Sequence, residues 1–216
     1  MKNNQRNGKR ESRDSKLRSR APVLGYYIIV TDATETEINY FNGLRDSIPE
    51  EIRRRLIITT YTASTERLIQ DIQQKVALHP QYCEPWIIFD RDRVPDFDNI
   101  IRMAKRKGIH VGWSNPCIEI WFLAYFGLMP NIDSSVACCN VFGKEFERTI
   151  KQEYLKSDRR IYTKLNQFGD EKIAINMAWQ KYKEARNNHG KPSEMVPCTT
   201  VHVLVEEIKN KVGKTE

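Results

Sequence analysis

A short apolar run that ends in two acids most constrains the fold of this chain. The segment Trp86 to Phe89 is too short for a buried helix, follows Pro85, and leads into Asp90 and Asp92. Such a run is typical of a buried parallel strand. Ligands bind at the carboxyl ends of strands in open α/β sheets, and acids at alternate positions can face one Mg²⁺ ion. The pattern predicts a strand with metal-binding acids, although most Asp-x-Asp pairs are solvated loop acids.

Strand-like and helix-like segments alternate through the first half of the chain. Apolar runs predict four strands, at residues 26–30, 56–61, 86–89 and 109–113. Apolar residues at helical spacing follow each of the first three runs, which implies right-handed β-α-β units and a parallel sheet. In the usual winding the first and third strands are neighbours. We therefore expect Asp32, which follows the first strand, to lie beside Asp90 and Asp92 in one crevice.

The segment after the fourth strand carries a single acid in an apolar run. Ser114-Asn115-Pro116 predicts the start of a helix, and from Cys117 to Phe126 every residue except Glu119 is apolar or small. Burial of a lone carboxylate costs on the order of several kcal/mol unless it is paired, protonated or metal-bound. Glu119 therefore needs a partner: backbone amides or an arginine in a structural role, or a metal or substrate in a functional one.

The rest of the chain predicts a mostly helical C-terminal part. Residues 127–143 read as a loop or lid, and charged segments with apolar anchors predict helices at 144–155, 159–168, 172–186 and 199–212. The expected fold class is α/β, a parallel sheet flanked by helices. The expected organisation is a disordered basic tail (1–22), an α/β core (23–127) and a helical extension packed on that core (128–216).

Basic charge is concentrated at the N-terminus. The net charge is +7, and residues 1–20 alone hold eight basic residues against two acids. This polar segment favours either a flexible arm that binds nucleic-acid phosphates or a solubilising tail. The candidate nucleic-acid-binding residues are Lys9, Arg10, Arg13, Lys16, Arg18 and Arg20, together with Arg91.

Several other chemistries are not expected. The five cysteines include no Cys-x-x-Cys pair and no cluster with histidine at zinc spacing, so structural zinc and a disulfide framework are not predicted. No Gly-x-x-x-x-Gly-Lys or Gly-x-Gly-x-x-Gly motif is present, which disfavours ATP hydrolysis and dinucleotide-dependent redox chemistry. The polar N-terminus and the lack of a long apolar run predict a cytoplasmic protein without a membrane anchor.

Four ordered motifs resemble the RloB family. They are Thr36-Glu37-x-x-Tyr40-Phe41, Phe89-Asp90-Arg91-Asp92, Ser-Asn-Pro-Cys-x-Glu-x-Trp at 114–121, and Thr-Thr-Val-His-x-Leu-Val at 199–205. That family is similar to Toprim-domain proteins, which include nucleases, topoisomerases and primases. The resemblance extends over about residues 24–210 and implies a Toprim-like parallel sheet.

The resemblance also implies a metal-dependent nuclease. Asp90 and Asp92 match the Toprim Asp-x-Asp metal positions, and Asp32 stands where the Toprim acid acts as general acid or base. We therefore expect Asp32, Asp90 and Asp92 to bind Mg²⁺ or Mn²⁺, and Asp32, Glu37 and Glu119 to be catalytic. A phosphatase or a primase-like transferase would use the same metal site. A small-molecule phosphatase needs no basic tail, however, and the nucleotide pocket that a primase needs is not evident in the sequence.

The family accompanies ATPases or restriction–modification genes in phage defence. This implies an abortive-infection effector that works with an AAA/ABC-type ATPase partner. The expected substrate is RNA, in particular tRNA, rather than DNA. The alternative is a catalytically degenerate module that binds nucleic acid or regulates such a system, because Asp32-Ala33-Thr34-Glu35 replaces the Glu-Gly-x-Lys usual in the family. The sequence leaves a homo-oligomer open.

Overall fold

A five-stranded sheet with the order β2-β1-β3-β4-β5 organises the chain. The computed structural model describes residues 24–79, 82–92 and 94–214. The strands are β1 Gly25–Thr31, β2 Leu56–Thr62, β3 Glu84–Asp90, β4 His110–Asn115 and β5 Cys198–Thr199. The first four are parallel, and β5 pairs antiparallel with β4. The predicted α/β fold class, a mostly parallel sheet flanked by helices with a helical C-terminal part, is confirmed.

Helices cover both faces of the sheet. Within the described residues they are α1 Thr36–Ser47, α2 Glu50–Arg53, α3 Leu68–Leu78, α4 Phe97–Arg106, α5 Glu119–Ala124, α6 Ser135–Ile150, α7 Ile161–Phe168, α8 Glu171–Asn188 and α9 Val201–Gly213. None of these helices has the length and apolar content needed to cross a bilayer. The predicted basic tail lies outside the described residues, so its expected disorder stays a prediction.

Alternate residues of the central strands enter two apolar layers. Tyr27 and Ile29 of β1 pack with α1 and α5 through α9, whereas Ile28 and Val30 pack with α3 and α4. Both sets of side chains are fully buried. Burial on both faces is expected of a central parallel strand and explains why β1 and β3 are nearly continuous apolar runs.

The first and third strands are neighbours, as the sequence predicts. Thr31 at the end of β1 lies opposite Ile88 of β3, two residues before Asp90. The backbone N–H of Asp32 donates to the Ile88 carbonyl at 3.3 Å, which extends this pairing by one residue. Asp32 and Asp90 are therefore fixed at the same edge of the sheet.

The predicted loop or lid at 127–143 is wrong in its second half, because α6 already begins at Ser135. The Ser134 hydroxyl accepts the Ala137 N–H at 3.2 Å, a side-chain cap of the type that starts helices. Cys138 and Phe142, four residues apart, are then completely buried on one face of the helix. Apolar contacts at helical spacing outweigh the loop-like composition of this segment.

The predicted helix start at Ser114-Asn115-Pro116 is also wrong. Strand β4 continues to Asn115, which pairs with Cys198 of β5, and α5 begins only at Glu119. The C-terminal part thus adds a strand to the sheet. This pairing joins residues far apart in sequence, and no local pattern predicts it. Its helices also share one apolar cluster with α1 and α5. The predicted boundary between residues 127 and 128 stays a prediction.

Candidate functional site

An acidic cleft of about 520 Å³ opens at the carboxyl ends of β1 and β3. Among the described residues, seven carboxylates and one lysine, Lys156, line it. The carboxylates belong to Asp32, Glu35, Glu37, Glu66, Asp90, Asp92 and Glu119. Strand ends and the turn into α1 bring most of them together, as expected for ligand sites in open α/β sheets.

Backbone and hydroxyl donors hold the two strand-end acids. The N–H of Ile118, just before α5, donates to Asp90 Oδ2 at 3.1 Å. The Thr65 hydroxyl, beyond the end of β2, donates to Asp32 Oδ2 at 3.1 Å. Each contact uses one carboxylate oxygen and fixes the orientation of the group, which prepares the site for a ligand before it binds.

Burial and mutual repulsion favour the protonated form of two of these acids. Burial, with added repulsion from Asp32 and Glu119, raises the pKa of Glu37 to about 8. Burial also raises the pKa of Asp90 well above its ordinary value, and the charges of Glu37, Glu119 and Asp32 add to this effect. The Ile118 N–H opposes it only in part. Like charges forced together in this way are typical of functional sites.

Glu119 is buried, and its partners come from a later part of the chain. The side chain is 1% exposed. The Tyr154 hydroxyl donates to Glu119 Oε1 at 3.0 Å, and Lys156 Nζ lies 3.5 Å from the same oxygen. The lysine is half exposed, so it partly offsets the carboxylate charge without sealing the cleft. The partners that the sequence requires for Glu119 are therefore Tyr154 and Lys156.

Three buried carboxylate oxygens that belong to residues of the acidic cleft have no hydrogen-bond partner among the described residues. They are Glu37 Oε2, Asp90 Oδ1 and Glu119 Oε2. A buried acceptor without a partner costs roughly 1–3 kcal/mol, and a charged one costs more. Carboxylate oxygens in this state are the ligands that Mg²⁺ and Mn²⁺ prefer. The chemistry of these oxygens therefore suits a hard divalent cation.

The structure brings together the five predicted acids and places Arg91 elsewhere. Asp32, Glu37, Asp90, Asp92 and Glu119 all line the acidic cleft, with Asp92 on an exposed turn after β3. Arg91 does not line it. Its guanidinium instead donates to the Val94 carbonyl at 3.2 Å and lies 5.8 Å from the Phe97 ring centroid. The six candidate residues of the tail lie outside the described part of the chain.

Sequence reasoning missed, among others, two residues beyond β2 and two residues that contact Glu119. Thr65 and Glu66 follow the end of β2, and the strand-end rule that found Asp32 would also have found them. Tyr154 and Lys156 carry no such signal, because they lie in an irregular segment between α6 and α7. Only the tertiary fold brings these two side chains to Glu119.

The fold and the cleft define an α/β protein with a carboxylate cluster at the carboxyl edge of a parallel sheet. A sequence model of the RloB-like protein family matches residues 27–208. This match covers most of the chain, so the chain belongs to the RloB-like family. Searches of curated proteins and of solved structures found no match.

Proposed function

We propose that this protein is a Mg²⁺- or Mn²⁺-dependent nuclease of the Toprim type that cleaves RNA. The observation that carries the proposal is the acidic cleft with its three unpartnered, buried carboxylate oxygens. Asp32, Asp90 and Asp92 would hold the metal. Bound there, the ion would stabilise negative charge on a phosphodiester and promote ionisation of an attacking water.

The chain's own acids supply the proton chemistry of this proposal. Glu37, with a pKa of about 8 in the metal-free cleft, can hold a proton near neutral pH and release it to solvent or substrate. Glu119 is held in place by Tyr154 and has Lys156 beside it. We assign Glu37 and Glu119 to general acid–base roles and Lys156 to binding of the scissile phosphate.

An RNA substrate needs cations at this cleft, because the seven lining carboxylates repel a polyanion. The divalent metal and Lys156 supply some of this charge. We propose that the basic tail supplies the rest through phosphate contacts. In keeping with the family resemblance, we propose tRNA as the preferred RNA, an AAA/ABC-type ATPase as partner, and a cytoplasmic role in abortive infection.

Calorimetry tests the metal site directly. We expect Mg²⁺ or Mn²⁺ to bind the wild-type chain, and Asp90→Asn to weaken binding by at least about tenfold because it removes a charged ligand. Glu66→Gln, which removes a charge from an exposed cleft residue, is the matched control and should change affinity far less. Absence of binding to the wild type, or equal binding to Asp90→Asn, would contradict the proposal.

Cell growth and RNA integrity test the activity. The chain would be expressed with a candidate ATPase partner during phage infection, as wild type and as Asp90→Ala/Asp92→Ala. We expect the wild type to stop growth and fragment tRNA, and the double variant to do neither. Equal behaviour of the two would mean that these acids are structural.

A degenerate, binding-only module is the second candidate. It is favoured by the turn Asp32-Ala33-Thr34-Glu35, in which the first acid is one methylene shorter than the family's usual Glu. Such a shortening can displace a carboxylate enough to cost activity in a positioned site. Asp32→Glu separates the two candidates. A gain of RNA cleavage by this variant, with none by the wild type, would support the degenerate module.

A further inference from the structure

Two thiols and one carboxylate meet beside the acidic cleft. The Sγ atoms of Cys117 and Cys139 and a carboxylate oxygen of Glu119 all lie within 4.8 Å of one another. Cys117 precedes α5, and Cys139 lies on the first turns of α6. Cys117 also lines the acidic cleft, whereas Cys139 lines an adjoining hollow with Tyr154 and Lys156. We refer to Cys117, Cys139 and Glu119 as the thiol site.

The thiol site is a buried cluster with an unused ligand atom. Cys117 is 2% exposed and Glu119 is 1% exposed. Glu119 Oε2 is buried and has no hydrogen-bond partner within the described ranges. Cys139 is only partly buried, so the adjoining hollow gives an ion a path to the cluster. Lys156, the nearby cation, has a side chain that is 53% exposed and can turn into solvent when an ion enters.

We propose that the thiol site binds Zn²⁺ or a similarly thiophilic divalent ion. Two sulfurs and one oxygen suit zinc, whereas Mg²⁺ takes oxygen ligands. Zinc–sulfur bonds of about 2.3 Å and zinc–oxygen bonds of about 2.0–2.2 Å require small side-chain rotations from the present spacing. Three protein ligands leave a fourth, tetrahedral position for water, which distinguishes the site from a closed structural zinc site.

Neighbouring groups provide outer-sphere support. Tyr154 donates to Glu119 Oε1 at 3.0 Å, and such donors orient a ligating carboxylate. The Cys117 thiol donates to the Ser135 carbonyl, with a sulfur–oxygen distance of 3.9 Å, and this contact is given up when the thiol ionises to bind the ion. Binding converts both thiols to thiolates, so each ion that binds releases two protons to solvent. The thiol site can be tested separately from the proposed nuclease activity, because binding of a thiophilic ion needs neither RNA nor Mg²⁺. The two proposals share Glu119, which would ligate the thiophilic ion while that ion is bound and would then not act as an acid or base.

Cadmium absorption provides the test, because Cd²⁺–thiolate bonds have an ultraviolet charge-transfer band and Mg²⁺ has none. Cd²⁺ would be titrated into the metal-free full chain with a non-thiol reductant. We expect the band to saturate at about one Cd²⁺ per chain, to disappear when Zn²⁺ is added, and to resist a large excess of Mg²⁺. A folded wild-type chain without this band would overturn the proposal.

Single cysteine variants locate the ion. Cys139→Ser changes the more exposed thiol and should remove about half of the band and weaken Cd²⁺ binding by at least about tenfold. Cys83→Ala is the matched control, because Cys83 lies in the apolar layer on the opposite face of the sheet. It should keep the full band. A full band in Cys139→Ser, with circular dichroism unchanged, would place the ion on other cysteines and overturn the assignment.

Discussion

The buried acid Glu37 makes the stability of the metal-free protein depend on pH. Burial, with charges on Asp32 and Glu119, raises its pKa from an ordinary 4.5 to about 8. Between these values the folded chain binds more protons than the unfolded chain. The stability from this group is therefore complete below about pH 4.5 and is lost as the pH rises through about 8. At about 1.4 kcal/mol per pH unit, the full difference corresponds to about 5 kcal/mol.

Glu37→Gln isolates this effect, because glutamine keeps the shape of the side chain and cannot ionise. Urea unfolding with a metal chelator would be compared at about pH 5 and about pH 8. We expect the wild type to lose about 3–5 kcal/mol more than Glu37→Gln over this interval. Glu66→Gln, at an exposed residue of the same cleft, should behave like the wild type.

Equal losses in the wild type and in Glu37→Gln would refute this reasoning, because they would mean that Glu37 ionises freely in the folded chain. A divalent cation supplies a second check. If the cation binds the ionised acids, its addition should stabilise the wild type more at the higher pH than at the lower. In Glu37→Gln, the stabilisation by the cation should increase less from the lower to the higher pH.

Three other substitutions test the packing and the site. Tyr154→Phe removes the hydroxyl that donates to Glu119 at 3.0 Å and should slow RNA cleavage at saturating Mg²⁺ by about tenfold or more, because it leaves the assigned acid–base group less well positioned. Phe142→Ala empties a fully buried position and should cost about 3–5 kcal/mol in urea unfolding. Gly43→Ala would place a Cβ 2.6 Å from Tyr162 Cβ, where α1 meets α7, and should cost about 1–3 kcal/mol in the same assay.

The chain offers a matched control for each substitution. Tyr182→Phe changes a tyrosine outside the acidic cleft and should leave the rate of RNA cleavage unchanged. Phe168→Ala removes a ring that is 42% exposed and should cost far less than Phe142→Ala. Gly143→Ala adds a Cβ to α6 in open space and should be neutral or stabilise by up to about 1 kcal/mol. A control that matches its test variant would contradict the corresponding prediction.

The acids at the centre of the site could be predicted from the sequence. Apolar runs define the strands, and winding rules place β1 beside β3, so the meeting of Asp32 with Asp90 could be predicted. Glu119 could be predicted as a special group because a lone acid in an apolar segment needs a partner. The first inference combines a local pattern with one topological rule, and the second needs only a local pattern.

The remaining contacts depend on packing between distant segments, and local patterns do not encode it. Tyr154 reaches Glu119 across 35 residues of sequence. The cysteines of the thiol site have no zinc-like spacing in sequence, yet α6 packs beside α5 and brings Cys139 to Cys117. The antiparallel pairing of Asn115 with Cys198 is equally non-local. Spacing rules detect residues that are close together along the chain. They do not detect residues that helix packing brings together from distant segments.

The positions of the site residues along the chain set the order in which the ribosome makes them. The cleft acids all precede residue 120, whereas Tyr154 and Lys156 are added after α6. A chain on the ribosome that has reached only residue 150 therefore contains the carboxylates but neither the donor nor the cation that stabilise Glu119. Residues 198 and 199, which pair with β4, are made later still. The acids are thus made before the residues that hold Glu119 in place, and the β5 partner of β4 is made after both.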